Sequence, residues 1–566
     1  MGNLRRIKRA CRRSHLSVAR PQQDGRPERI ELDRDELEGI LEHAKTALNQ
    51  AEYAKLHAAM ETLIFLTQEL EKKHVSVQRL KQMLFGATTE TTRKVMEKVL
   101  DEIEKKNTDE DTSQGEDKQK PKGHGRNGAK AYVGAEKVCV PHESLQAGDA
   151  CPNCHKGTVY ESVEPRRLVR IRGQAPLGAT VYELQKLRCN LCGQIFTAKA
   201  PDGVGSEKYD AESASMIALL KYGSGLPFNR LERLQHGLGI PLPAATQWEI
   251  VEDTTGKIEP AIEELIRQAA QGQIFHNDDT GMKILALCDP NARITEMEES
   301  SAPDRKGVFT SGVLSVLENG QRIALFFTGC RHAGENLTAV LKQRARELNR
   351  PIQMCDALSR NIPKELETIV ANCLGHGRRQ FVEVAGNFPQ ECLYVLNIFK
   401  DVYANDAKTK RLEMSAEQRL QFHQRESGPK MEELKEWFAA QIEDRKVEPN
   451  SSLGEAIGYM RKHWDKLTLF LRHPGAPLDN NVCERALKKA ILNRKNSYFY
   501  KTQNGARVGD LFMSLIHTCE LNKVNAFDYL TELQKHSDEL SANPGDWMPW
   551  NYRQTLAGST SLVQTT

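Results

Sequence analysis

The feature that most constrains this chain is the order of elements between residues 271 and 375. Gln273 to Asn277 reads as a strand ending in Asp278 and Asp279. Val308 to Leu317 and Arg322 to Phe327 read as two further strands. Asn319-Gly320 joins them, and Asn-Gly between apolar runs is the strongest short hairpin signal. Gly334 to Glu347 has helical character, and Pro351 to Cys355 is a short strand with Asp356 at its end. Glu365 to Ile369 looks helical, and Val370 to Leu374 reads as a last strand. The order is β-β-β-α-β-α-β. It predicts an α/β, ribonuclease-H-like core: a mixed five-stranded sheet with helices, in which the first and fourth strands are neighbours. Asp278 and Asp356 then stand side by side at strand ends. Asp279 competes with Asp278 for that place.

A third carboxylate follows in Pro477-Leu-Asp-Asn-Asn-Val-Cys-Glu484. Asp479 or Asn480 is suited to cap a helix after Pro477. That helix places Asn481, Glu484 and Lys488 on one face, with Leu487 and Ile491 on the packing face. Three converging carboxylates repel and call for cations. Two magnesium (or manganese) ions bridged by Asp278, Asp356 and Glu484 relieve the charge, activate water and stabilise a departing 3′ oxygen. Taken singly, each of these acids is more ordinarily a solvated strand end or a cap. Residues 381–475 are polar and helical without clear strands, so an all-helical insertion separates Asp356 from Glu484.

The chain has 566 residues and a net charge of only +3, from 79 basic and 76 acidic side chains. That balance argues against a simple basic DNA-coating protein, but charge location matters more. Residues 1–29 form a basic tail. Residues 30–106 read as helix, with Leu63, Leu70, Val77 and Leu84 recurring every seven positions. They predict either a short coiled coil, hence a homodimer or higher oligomer, or an amphipathic helix packed on its own domain. Residues 107–135 read as a disordered linker. A Ser/Thr-rich tail is expected over 537–566. No apolar run is long enough for a membrane span. An odd count of 13 cysteines without a secretory signal fits reduced thiols in the cytoplasm.

Over 136–205, Cys151-Pro-Asn-Cys154 and Cys189-Asn-Leu-Cys192 form two C-x-x-C pairs. Four thiolates satisfy one structural zinc and leave no open position; four ordinary buried thiols, or a redox pair, are the alternatives. Leu168 to Ile171 and Thr180 to Leu184 have strand character there. Over 206–270, Asn229 to Leu238 reads as a helix, followed by Ile-Pro-Leu-Pro and a second helix carrying Thr246, Gln247 and Trp248. This is a helix-turn-helix DNA-binding domain or an ordinary helical hairpin. Around Glu484, the cations Arg485, Lys488, Lys489, Arg494 and Lys495 form a basic strip, either a solvated helix face or a clamp on a DNA backbone. Tyr498, Phe499 and Tyr500 either pack in the core or stack on bases.

Several strings in order resemble the insertion sequence 66 family of bacterial transposases. They are HNDDT (276–280), MCDALSRN (354–361), GHGRRQF (375–381), LDNNVCERALKKAILNRKNSYF (478–499) and WMPWN (547–551). The two C-x-x-C pairs, GHGRNGA (123–129) and LKQMLFG (80–86) resemble it as well. The resemblance implies an aspartate-aspartate-glutamate triad at Asp278, Asp356 and Glu484, with His376, Arg378 and Arg379 among the DNA-binding residues. It implies a nucleoid-associated cytoplasmic enzyme that acts on double-stranded DNA, at terminal inverted repeats and target sites. Strand cleavage is then followed by transfer of the 3′ hydroxyl. Accessory proteins from the same element are possible partners. A DNA-binding regulator without cleavage, or a nuclease without strand transfer, are the competing readings.

Overall fold

The computed structural model describes Tyr53, 139–140, 143–153, 155–160, 175–188, 190, 194–205, 207–288 and 307–563. The expected basic tail, coiled-coil helix (Tyr53 apart) and linker, the strand expected at Leu168 to Ile171 and three of the four C-x-x-C cysteines lie outside the described residues. The chain divides into two compact units, 1–90 and 91–566, and Tyr53 alone is described in the first.

A small ribbon pairs β1 (Lys186–Arg188) antiparallel to β2 (Ile195–Thr197). The strand expected at Thr180 to Leu184 starts later, at Lys186.

Three helices follow. α1 (Ala211–Ala218) continues into a π-turn at Leu219–Gly223, and α2 (Phe228–Gly237) precedes α3 (Ala244–Ala269). The sheet comprises β3 (Ile274–Gly281), β4 (Phe309–Val316), β5 (Arg322–Gly329), β6 (Ile352–Cys355) and β7 (Ile369–Asn372), in the order β5-β4-β3-β6-β7. β3, β4 and β5 are antiparallel, while β3-β6 and β6-β7 are parallel. The first and fourth strands of the sheet are therefore neighbours, as expected. Gly320, at φ +82°, turns the β4–β5 hairpin where Asn-Gly predicted it.

Two helical expectations are corrected. The helix after β5 is α4 (Ala333–Leu341), shorter than 334–347. No helix spans 365–369. A single 3₁₀ turn, Ser359–Asn361, and an irregular bend join β6 to β7. Pro363 removes a donor there, and too few residues remain to nucleate a helix.

Beyond β7 come α5 (Leu374–Val384), α6 (Pro389–Arg411), α7 (Ala416–Glu426), α8 (Gly428–Glu443) and α9 (Ser452–Leu467). α10 (Asn481–Ser497), α11 (Gln503–Leu521), α12 (Ala526–Lys535), α13 (Ser537–Ala542) and α14 (Tyr552–Val563) complete the chain. The stretch expected as a tail is largely folded. Trp547, Met548 and Tyr552 are buried in the same core as Ile258 of α3 and Phe326 of β5.

The free edge of β5 is closed by a side-chain ladder. Asp510, Ser514, Thr518 and Asn522, every fourth residue along α11 and its end, accept the N–H groups of Thr328, Phe326, Ala324 and Arg322 at 2.5, 2.9, 3.1 and 3.2 Å. Four helical residues rise about 6 Å and two strand residues about 6.6 Å, so the two repeats match. The helix thus removes the exposed template that an unpaired edge presents.

Candidate active site

β3 alternates its side chains between two environments. His276, Asp278 and Thr280 face α10; Asn277 and Asp279 face the other way. Continuing the β3–β6 register from His276↔Met354 sets Asp278 level with Asp356. Asp279 is fully engaged on its own face: Oδ1 accepts from Ser311 Oγ at 2.7 Å, and Oδ2 pairs with His332 Nδ1 at 3.0 Å. Among the described residues, Asp278 accepts from the Asp279 backbone N–H alone, at 2.8 Å.

Asp356 is held by the turn that follows it. Asn361 Nδ2 donates to its Oδ1 at 2.5 Å, and the Leu358 N–H does so at 3.1 Å. Asn361 is itself fixed from below, where its carbonyl accepts from Asn277 Nδ2 and Gln353 Nε2, each at 2.7 Å. These asparagines were not singled out from the sequence, because their buried roles depend on partners on other strands.

Glu484 reaches the site from the first turn of α10, and two local devices place that helix. Asn480 is fully buried. It does not use its side chain as a cap; it pairs with His276 Nδ1 at 3.1 Å and donates to the Asn277 carbonyl at 3.1 Å. Gly312, the partner of Asp278 across β4, supplies the second device. A Cβ there would lie 3.0 Å from Leu487 and 3.4 Å from Cys483, so its absence admits α10 to the sheet.

The electrostatics show the convergence. Burial, then the negative charges of Asp356, Glu484 and Asp279, push the Asp278 carboxyl up to about 7; the Asp279 backbone N–H opposes this. Glu484 lies 3.9 Å from His376 Nε2 and 3.7 Å from Arg379. His376 is pushed down, first by burial and then by Arg379. Its Nδ1 is buried without a hydrogen-bond partner among the described residues. Asp278, Asp356 and Glu484 are hard oxygen donors suited to magnesium or manganese. Beside them, Cys373, His376 and Glu484 place ligand atoms within 4.8 Å of one another, a softer donor set that shares Glu484.

The other predicted residues are dispersed. Arg485 and Lys495 are exposed, and Arg378 and Lys488 are half-buried. Lys489 pairs with Glu520 at 2.7 Å. Arg494 binds Thr280 Oγ1 at 3.3 Å and the Gly281 carbonyl, tying α10 to β3. Gln247 points inward and donates to the Phe228 and Leu242 carbonyls at 3.1 and 2.9 Å. Cys151, half-buried, is the one described member of the two C-x-x-C pairs. Of the aromatic run, Tyr500 is buried while Tyr498 and Phe499 are exposed.

A mixed five-stranded sheet with carboxylates at adjacent strand ends and a facing helical glutamate is the α/β class consistent with a ribonuclease-H-like core. The model of the "Transposase IS66 family" matches residues 208–508, more than half of the chain, and the chain belongs to that family. Its relatives include two uncharacterized proteins of Sinorhizobium fredii (strain NBRC 101917 / NGR234). One, y4jD, is 26% identical over 61% of this chain and 66% of its own length. The other, y4hP, is 23% identical over 67% of this chain and 69% of its own. The match thus takes in about two thirds of each relative. Among the described residues no helix is long and apolar enough to cross a membrane.

Proposed function

We propose that this chain cuts DNA at the ends of its element and joins the freed 3′ hydroxyl to target DNA. The observation that carries this reading is the convergence of Asp278, Asp356 and Glu484 on one face of the sheet. Two divalent cations held by those carboxylates would activate water and neutralise charge on the leaving oxygen.

The chain's own residues do the positioning. Asn361 and Asn480 hold Asp356 and the Glu484 helix against β3, so the carboxylates meet without reorganisation. Arg379 and His376 flank Glu484 and supply positive or donor groups where a phosphodiester would lie. Arg485 and Lys495, exposed on the same helix, clamp the backbone of the DNA. Dimerisation through 30–106, zinc at Cys151, Cys154, Cys189 and Cys192, and DNA reading by α2 and α3 belong to the same proposal.

The test is metal-dependent nicking and joining on duplex DNA carrying the element's own ends. Asp278→Asn, Asp356→Asn and Glu484→Gln should each abolish both products while leaving DNA binding intact. Nicking that survives all three changes would refute the site. Nicked but never joined products would favour a nuclease.

A further inference from the structure

The C-terminal end of α10 carries an unusual exposed pair. Tyr498 sits at φ +69°, ψ −41°, and the Phe499 N–H donates to the Ser497 carbonyl at 2.9 Å. That i→i+2 bond and those angles define a classic γ-turn, a rare and strained form for a residue with a side chain. Tyr500, one residue on, is locked. It bridges Ile284, its N–H donates to the Lys283 carbonyl at 2.9 Å, and its hydroxyl accepts from Asn493 Nδ2 at 2.6 Å. The helix end is locked too, by the Tyr498 N–H to the Arg494 carbonyl at 2.8 Å. Between these anchors the turn pushes two rings outward, with Tyr498 71% and Phe499 43% exposed.

Folding gains little from rings left in water. A glycine at 498 would meet the same turn without strain. The observed outlier therefore points to a ligand for the rings. The surroundings define its chemistry. Lys283, Lys495 and Lys501 are exposed next to the turn in sequence or pairing, and no acid occurs from 485 to 509. Flat exposed rings on a stretch of chain rich in exposed lysines match a strand of DNA whose base stacks while its phosphates meet lysines.

We propose that Tyr498 and Phe499 form a stacking station for an unpaired nucleobase of bound DNA. Tyr498 lies 14 residues from Glu484 along α10, so the station is about 20 Å from the carboxylates. It holds a base splayed from the duplex several steps from the reacting phosphate, and so sets the register of the strand. This assignment rests on the DNA-processing reading above.

The experiment uses the full chain, with 2-aminopurine placed in a short DNA. One form is fully paired and the other carries an unpaired tract at the probe. Wild-type protein should quench the unpaired probe and bind that DNA more tightly. Tyr498→Gly with Phe499→Ser should lower affinity for the unpaired form about tenfold, lose the quench, and leave duplex affinity within about twofold. Thermal stability of Tyr498→Gly alone should hold or rise, since the turn is relieved. Asp278→Asn should keep the quench, so failure of the catalytic reading is separable from failure of the station. Equal loss on both DNAs, no loss on either, or a marked fall in stability of Tyr498→Gly would overturn the proposal.

Discussion

Asp278 and Asp279 are adjacent in sequence and serve opposite faces of one sheet. Asp279 is consumed by Ser311 and His332, whereas Asp278 faces Asp356 and Glu484 with a single backbone donor. Their substitution should therefore separate chemistry from stability. Asp278→Asn is expected to lower nicking by roughly a thousandfold or more without lowering the unfolding midpoint. Asp279→Ala should destabilise by about 1–3 kcal/mol, because Ser311 and His332 lose their acceptor. Nicking assays and urea titrations on both variants decide it; the reverse pattern would make Asp279 the reactive residue.

Buried carboxyls give the fold a pH signature. Asp278 and Asp510 both titrate near 7 instead of at 3.8, with burial as the leading cause. The folded state therefore holds protons that the unfolded chain releases. Their contribution to stability is complete below about pH 4 and is lost as pH rises toward 7. Without divalent ions, melting temperature should decline over that window, and Asp510→Asn and Asp278→Asn should each flatten the slope. Magnesium should restore stability above pH 7 in wild type and Asp510→Asn, and fail to do so in Asp278→Asn. Parallel wild-type and variant slopes would contradict the assignment.

The ladder along β5 is testable by hydrogen exchange. Ser514→Ala and Thr518→Ala each leave a strand N–H without its acceptor and should cost about 1–3 kcal/mol apiece. The Phe326 and Ala324 amides should lose protection selectively, while β3 amides keep theirs. Uniform loss across the sheet would mean the ladder is not a local closure.

How far the residues alone revealed this architecture depends on what kind of signal each element carries. β3, the Asn319-Gly320 hairpin and β6 show in the apolar runs, and with them the places of Asp278 and Asp356. Glu484 shows through Pro477 and the helix after it. The polar positions resisted reading. Asn277 reads only as the end of a strand and Asn480 only as a helix cap, and the buried hydrogen bonds that Asn277, Asn361 and Asn480 make depend on distant segments. Asp510, Ser514, Thr518 and Asn522 recur at helical spacing, but only the strand they meet gives that polar row its meaning. Gln247 lies on a helix that reads either as a DNA-reading helix or as half of an ordinary hairpin, and its amide is spent on two carbonyls. The segment 365–369 shows the opposite error, since helical composition cannot overcome five residues after a proline.

Gly312 offers the sharpest test of how the glutamate is positioned. It pairs with Asp278 in register, and any Cβ there meets Leu487 and Cys483 of α10. Gly312→Val should push α10 off the sheet, costing about 1–3 kcal/mol through overpacking. Nicking should fall about 10- to 100-fold as Glu484 withdraws, which matches the scale of losing a group that orients a metal ligand. Asn480→Ala should mimic the activity loss without overpacking, since it releases the same helix from His276 and Asn277. Trimming the obstructing side chain, in Gly312→Ala with Leu487→Ala, should recover part of the activity over Gly312→Ala alone. Full activity in Gly312→Val, with a cooperative fold, would show that the approach of α10 does not set the carboxylate geometry.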